Sequence, residues 1–463
     1  MLPPARGPRM TTPIPLDAIE RLYKSATQKV WFRLIPVLMF AYVLNFLDRT
    51  NIALAKTRLD ADLGISAAAF GFGAGLFFIA YCVLEIPSNL MLHKFGARRW
   101  ISRIVISWGL ISTLTLFVQG ETSFYIMRFL LGVAEAGFYP GMLFYFTLWF
   151  AARDRAVAVG MLLVAPQIAT VFGSPLGGAI MTLDGALGLY GWQWLLLLEG
   201  IPTILFGFFL WFYLPNGPKD ARWLTEDEKE ALLAKTTVVS EEKHSVRQAL
   251  GSVFSSGVLL SIAVIYFVTQ LCVYGITFFM PSIVEASGVS GTLAIGAISG
   301  LPAVGALIGV LIYPRLFRQY GNPIRFVAVA MVGAAISTFV AANSGHVVSL
   351  IALAVMQFFV TGTAPVLWSV AMSRISGVQS AAGLAMINSI GLLGGFFGPN
   401  LFGIAESRTG DPASAIALLT IAAIVALVIV VVLRQLLRRN PPVTTVAAVV
   451  AETSNTDATT ATS

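Results

Sequence analysis

The stretch R-F-L-L-G-V-A-E-A-G-F-Y-P-G, residues 128–141, sets an arginine and a glutamate inside an apolar run long enough to cross a bilayer. Arg128 and Glu135 are seven residues apart. On a helix that spacing is almost two whole turns and roughly 10 Å of rise, so both side chains leave the same face. A charge at the centre of the hydrocarbon costs about 2.5–3.5 kcal/mol even on insertion scales, and it turns toward a protein interior or a wet cavity. Such a run belongs to a membrane helix that has a use for charge.

Composition agrees. Of 463 residues, 57% are hydrophobic and 11% charged, against about 25% charged in soluble domains. The net charge of +7 falls mostly in short loops beside apolar runs, where it orients spans and gives no reason to expect nucleic acid. Cys82 and Cys272 lie in apolar runs and read as packing residues. His93, His244 and His346 are far apart and form no metal spacing. A G-x-x-x-x-G-K-[ST] phosphate loop is absent from the sequence. No metal, no cofactor and no enzyme chemistry are expected. Residues 1–29 carry five prolines and no small-residue cleavage site, so they read as a retained tail. Leu16, Ile19, Leu22 and Tyr23 predict an amphipathic lead-in helix over Pro15–Val30 at the membrane surface.

About 20 apolar residues span a bilayer. The first six spans are predicted at Trp31–Arg49, Ala67–Leu92, Trp100–Val118, Phe124–Phe150, Ala156–Leu183 and Trp192–Leu214. Residues 215–252 then form a charged central loop, in which Thr225 and Glu228 make a T-x-x-E helix start. Six more spans follow at Val253–Met280, Leu293–Tyr313, Ile324–Ala342, Val347–Met372, Ala382–Ala405 and Ala413–Leu433. The fold class is therefore all-α and polytopic: twelve transmembrane helices in two halves, 30–214 and 253–435, with a disordered tail over 436–463. Lys94, Arg98, Arg99, Arg153, Arg155, Arg315 and Arg318 mark alternate loops, which predicts cytoplasmic termini and a cytoplasmic central loop. Two similar halves suit a carrier with its ligand site between them at mid-depth.

Several motifs sharpen this. N-F-L-D-R-T-N-I at 45–52, A-Y-C-V-L-E-I-P-S-N-L at 80–90, residues 128–141, G-W-Q-W-L-L-L-L-E-G-I-P at 191–202 and D-A-R-W-L-T-E-D-E-K at 220–229 together resemble the major facilitator superfamily. Within it they resemble the anion:cation symporter family of organic-acid permeases, from about Leu34 to Leu433. The resemblance implies import of a sugar acid, hydroxy acid or aromatic acid by proton symport through alternating access. The energy would come from the proton gradient. The protein would be a monomer in the inner membrane, its partners being a small organic anion, protons and lipid. A sodium-coupled or facilitative carrier, or a receptor that binds without transporting, is the alternative. The loop N-L-M-L-H-K-F-G-A-R at 89–98 keeps the basic cluster of the superfamily's gating loop but has His93 where that pattern has aspartate.

Candidate residues follow. Asp48 and Arg49 end the predicted first span, either as an exposed pair at the membrane edge or, as the resemblance implies, as a proton carrier and a carboxylate anchor. A guanidinium suits the second task because its planar fork bonds both carboxylate oxygens. Arg128 and Glu135 are either a packing ion pair or a proton switch. Substrate contacts are expected from Tyr81, Gln167, Gln270, Tyr274, Trp368, Ser369 and Asn388, and gating from Glu85, His93, Lys94, Arg98 and Arg99; Glu199 reads as structural or gating. The second half shows only neutral polar residues deep in its spans, among them Gln357, Ser389 and Asn400. One firmly gripped carboxylate is therefore favoured over a compact dicarboxylate.

Overall fold

The computed structural model describes residues 16–236, 256–372, 374 and 379–439. The expected disordered tail beyond Arg439 and the central loop from 237 to 255 lie outside the described residues. Among those described, twelve helices are long and apolar enough to cross a membrane. The chain begins with α1 (Leu16–Arg33), α2 (Ile35–Leu63), α3 (Ala67–Phe95) and α4 (Ala97–Leu114). Two broken spans follow, α5 with α6 (Glu121–Glu135, Phe138–Trp149) and α7 with α8 (Ala152–Leu162, Ala165–Ile180). Helix α9 (Gly191–Tyr213) and the short α10 (Glu226–Lys235) lead into the second half. That half holds α11 (Gly257–Ala286), the broken pair α12 and α13 (Thr292–Ser299, Leu301–Tyr320), and α14 (Pro323–Asn343). It ends with α15 (His346–Met372), α16 (Gln379–Thr409) and α17 (Ile416–Arg439).

Helix α2 differs most from expectation. It does not stop at Arg49 but runs from Pro36 in its first turn to a left-handed glycine, Gly64, where the Gly64 N–H closes on Asp60 and the Ile65 N–H on Leu59. No proline or glycine interrupts it between those points, and the charges of K-T-R-L-D are carried on helix. Asp48 and Arg49 therefore sit at mid-helix, buried, not at a membrane edge. The same effect lengthens α16 to Thr409 and α17 to Arg439.

Among the described residues the halves meet chiefly where α2 packs on α11, α3 on α16, and α8 on both α12 and α13. At one end the approach is close enough to require glycine. A Cβ on Gly178 would lie 2.5 Å from the Thr292 carbonyl, and one on Gly296 would lie 2.4 Å from that of Ser174. Small residues of this kind let membrane helices meet backbone to backbone.

The lead-in helix forms, but protein covers its apolar face. Tyr23, Ala26 and Val30 are buried, and the Tyr23 hydroxyl donates to Asp154 at 2.7 Å while accepting from the Ala151 N–H at 2.9 Å. Lys29 and Ser25 donate to Glu228 at 2.7 and 2.8 Å. Glu228 also completes the expected capping box with Thr225. Burial works to raise the Glu228 carboxyl; Lys29, the Thr225 N–H and Ser25 outweigh it, leaving the group below its ordinary value of 4.5. A depressed carboxylate stabilises fully above its unfolded value and loses that contribution as pH falls through the folded one. Glu228→Gln is thus expected to lower the melting temperature by about 1–3 °C at pH 7. The difference from wild type should vanish as the pH is taken below 4.5.

Candidate functional site

The site assembles around the midpoint of α2. Because neighbours on a helix diverge by about 100°, Asp48 and Arg49 face different neighbours. Asp48 points back into its own half, accepting from Trp108 Nε1 at 2.7 Å and Ser112 Oγ at 2.8 Å on α4. One turn on, Asn51 donates to Glu199 of α9 at 3.0 Å. Asp48 and Glu199 are both buried. Together they form a polar layer behind α2, away from the seam.

Arg49 points into the seam. Its guanidinium forms a buried ion pair with Glu135, and its Nη1 donates to the Tyr274 hydroxyl of α11 at 3.3 Å. Phe46, Phe77 and Tyr81 surround it with ring centres 4.8, 4.9 and 5.5 Å from Cζ. Arg128 shares that wall, with Cζ 5.3 Å from Phe77 and 5.9 Å from Phe278. It is 2% exposed, yet its Nε and Nη2 have no hydrogen-bond partner, nor has Glu135 Oε2.

The expected Arg128–Glu135 pairing is thus replaced by Arg49–Glu135. Seven residues along a helix is too far for a salt bridge, and the helix ends at Glu135: Gly137 follows in the left-handed region at φ 85 and starts α6. That break turns Glu135 toward α2. Gly137 is required there because a Cβ would meet Ser88 Oγ at 2.3 Å.

Toward the basic loops, Glu85 faces the seam from α3 and accepts from Asn388 of α16 at 3.3 Å; its Oε2 is buried and unpartnered. Asn388 therefore meets a carboxylate of the other half. Beside it, Trp368 meets Tyr266 edge-on at 5.5 Å. Ser369 donates within its own helix to Val366 at 2.8 Å. Gln270 lies one turn before Tyr274 and is partly exposed. Gln167 lies elsewhere on the seam, in a cavity of about 50 Å³ lined also by Thr50, Thr277, Ser299, Gln357 and Thr361. That space suits water rather than an organic acid.

At the α3–α4 turn, the His93 ring lies 4.2 Å from Phe144, Lys94 lies over Phe95 at 5.6 Å, and the Arg98 N–H donates to Asn216 at 3.2 Å. Arg99 is exposed. The contacts of His93, Lys94 and Arg98 are with their own half.

Sequence reasoning missed a second charged level. Lys56, two turns past Arg49 on the same face of α2, donates to Glu406 of α16 and Ser282 of α11, both at 2.9 Å. The second half thus brings a partly exposed carboxylate, Glu406, to the seam just past the predicted end of its span. The only cue was that α2 lacks any stop signal before Gly64.

Two helical halves with charge at a central seam describe a carrier architecture. Residues 38–399 match the family model described as the Major Facilitator Superfamily. The chain belongs to that superfamily. Among curated superfamily relatives, a candidate tartrate transporter of Agrobacterium vitis is 40% identical over 86% of this chain and 93% of its own. A quinolone resistance transporter of Acinetobacter baumannii is 37% identical over 87% and 93%. The solved structure of a D-xylose–proton symporter superposes with a TM-score of 0.70 over 86% of this chain and 97% of that one; at 15% identity it shares the fold. The protein is a multi-pass membrane transporter of the major facilitator superfamily.

Proposed function

We propose that the protein imports an organic carboxylate by proton symport, with Arg49 as the carboxylate anchor and Glu135 as the proton-handling group. One observation carries the reading: a buried arginine that links Glu135 of one half to Tyr274 of the other. Arg49 and Arg128 bring two positive charges and Glu135 one negative, so the ionised cluster keeps a net positive charge in the membrane interior. A substrate carboxylate is the natural counter-ion. Protonating Glu135 removes its claim on Arg49, and the substrate carboxylate takes its place. Bound to Arg49 at the seam, it also meets the Tyr274 side and draws the halves into a different balance, which is alternating access by differential affinity.

The partner arrangement widens the ligand range. Arg128 is not engaged by Glu135, so a second carboxylate or a hydroxyl has a donor waiting. This favours hydroxylated and dicarboxylic acids over the single-carboxylate preference of the sequence, and the name of the Agrobacterium relative supports it. Carriage of a quinolone-type compound is a second reading, favoured by the name of the Acinetobacter relative. The loop charges support cytoplasmic termini, and the location is proposed as the inner membrane. Gating by Glu85, His93, Lys94, Arg98 and Arg99, no cofactor beyond the proton gradient, and a monomer complete the proposal.

Proteoliposomes with an acid exterior test it. Tartrate, sugar acids, phthalate and hydroxyphenylacetate are offered in turn, and one of them should accumulate above equilibrium, with collapse on adding a protonophore. Replacing sodium by potassium should leave uptake unchanged; a strict sodium requirement, or equilibration without accumulation, would sink proton symport.

A further inference from the structure

Helix α2 carries two cations on one face, and both reach across the seam to α11. Arg49 meets Tyr274, and Lys56, seven residues later, meets Ser282, eight residues along α11. The helix between them is unbroken, so the two cations move as one rigid piece. Lys56 is the better enclosed of the two outer partners. Its side chain is 7% exposed against 17% for Glu406, and its Nζ lies 4.7 Å from the Phe279 ring centre. Close by, the Ala68 N–H at the start of α3 donates to Ser407 at 2.9 Å. The Gly178–Gly296 approach belongs to the same end of the seam. A polar vestibule of about 290 Å³, lined by Lys56, Asp60, Ser282, Glu285 and Glu406, opens beside the pair.

We propose that Lys56, Glu406 and Ser282 form a charge latch that holds the halves together at the α2–α3 end, and that its release opens that face to the central site. The contacts exist only while the two halves touch there, so they stabilise one conformation and not the other; a state-selective contact of this kind shifts a two-state balance by its own free energy. Water in the vestibule hydrates both ions once they part, which keeps release within reach. Because Lys56 shares a rigid helix with Arg49, a change in the partners of Arg49 is felt directly at the latch.

The proposal rests on reading the chain as an alternating-access carrier, but its test needs neither substrate nor proton gradient, so failure of symport leaves the test valid. Nitroxide labels at Ala61→Cys and Ser290→Cys, in a background of Cys82→Ser and Cys272→Ala, report the separation of the two halves at this end. The parent protein should show mainly a short distance. Lys56→Met and Glu406→Gln should each raise the ratio of long to short distances by roughly tenfold. The charge-exchanged pair Lys56→Glu with Glu406→Lys should restore the short distance. An unchanged distribution in both single variants, or an exchanged pair that stays long, would overturn the latch.

Discussion

Arg49→Ala is expected to reduce carboxylate uptake at limiting substrate by about 100- to 1,000-fold. Removing one partner of a buried ion pair costs about 3–5 kcal/mol, because the survivor keeps its desolvation cost without compensation, and each 1.4 kcal/mol is about tenfold. The loss has two components that a second variant separates. In Arg49→Ala, Glu135 remains fully buried with no cation on it, so the protein itself should melt earlier. Combining Arg49→Ala with Glu135→Gln removes the stranded charge and should recover the melting temperature while uptake stays low. Arg49→Lys keeps the charge but loses the planar fork, and uptake should fall between the two. Recovery of uptake in the double variant would move the anchor to Arg128.

Glu135→Gln, the second large effect, should abolish accumulation against a gradient while leaving counterflow exchange within about threefold of wild type. The amide keeps shape and hydrogen bonding but cannot take or release a proton, and the ion pair with Arg49 is gone in every state. Substrate then cycles without a proton. Uptake in wild type should respond to external pH, and exchange in the variant should be flat across the same range. Undiminished uphill transport by Glu135→Gln would place proton coupling at another group, of which the Asp48 layer behind α2 is the first to examine.

Both variants concern residues visible in the sequence, and the fold was visible too. Apolar runs gave the spans, and Thr225 with Glu228 the start of α10. Pairing was not visible. Arg128 and Glu135 share a face by periodicity, but the helix break after Glu135 hands the carboxylate to an arginine 86 residues away in the chain. The sequence likewise joins Asp48 to Arg49, while the helix sends one into its own half and the other across the seam. Lys56 was hidden by its neighbours: K-T-R-L-D-A-D reads as a loop, and only burial against a glutamate 350 residues distant gives the lysine a place. Periodicity says which way a side chain leaves its helix; the group waiting there belongs to tertiary structure.

The uneven charge of the two halves bears on how such a protein diversifies. At the central cluster, the ionised groups Arg49, Arg128 and Glu135 stand on α2 and α5 of one half, and the other half answers with the Tyr274 hydroxyl and the Phe278 ring of α11. Exchanging a neutral residue such as Ser369 or Gln270 perturbs shape and hydrogen bonding at modest cost. Exchanging a buried charge strands its partner. Selection for a new substrate therefore has an inexpensive side on which to work, and under the proposed symport the means of driving uptake can be inherited unchanged.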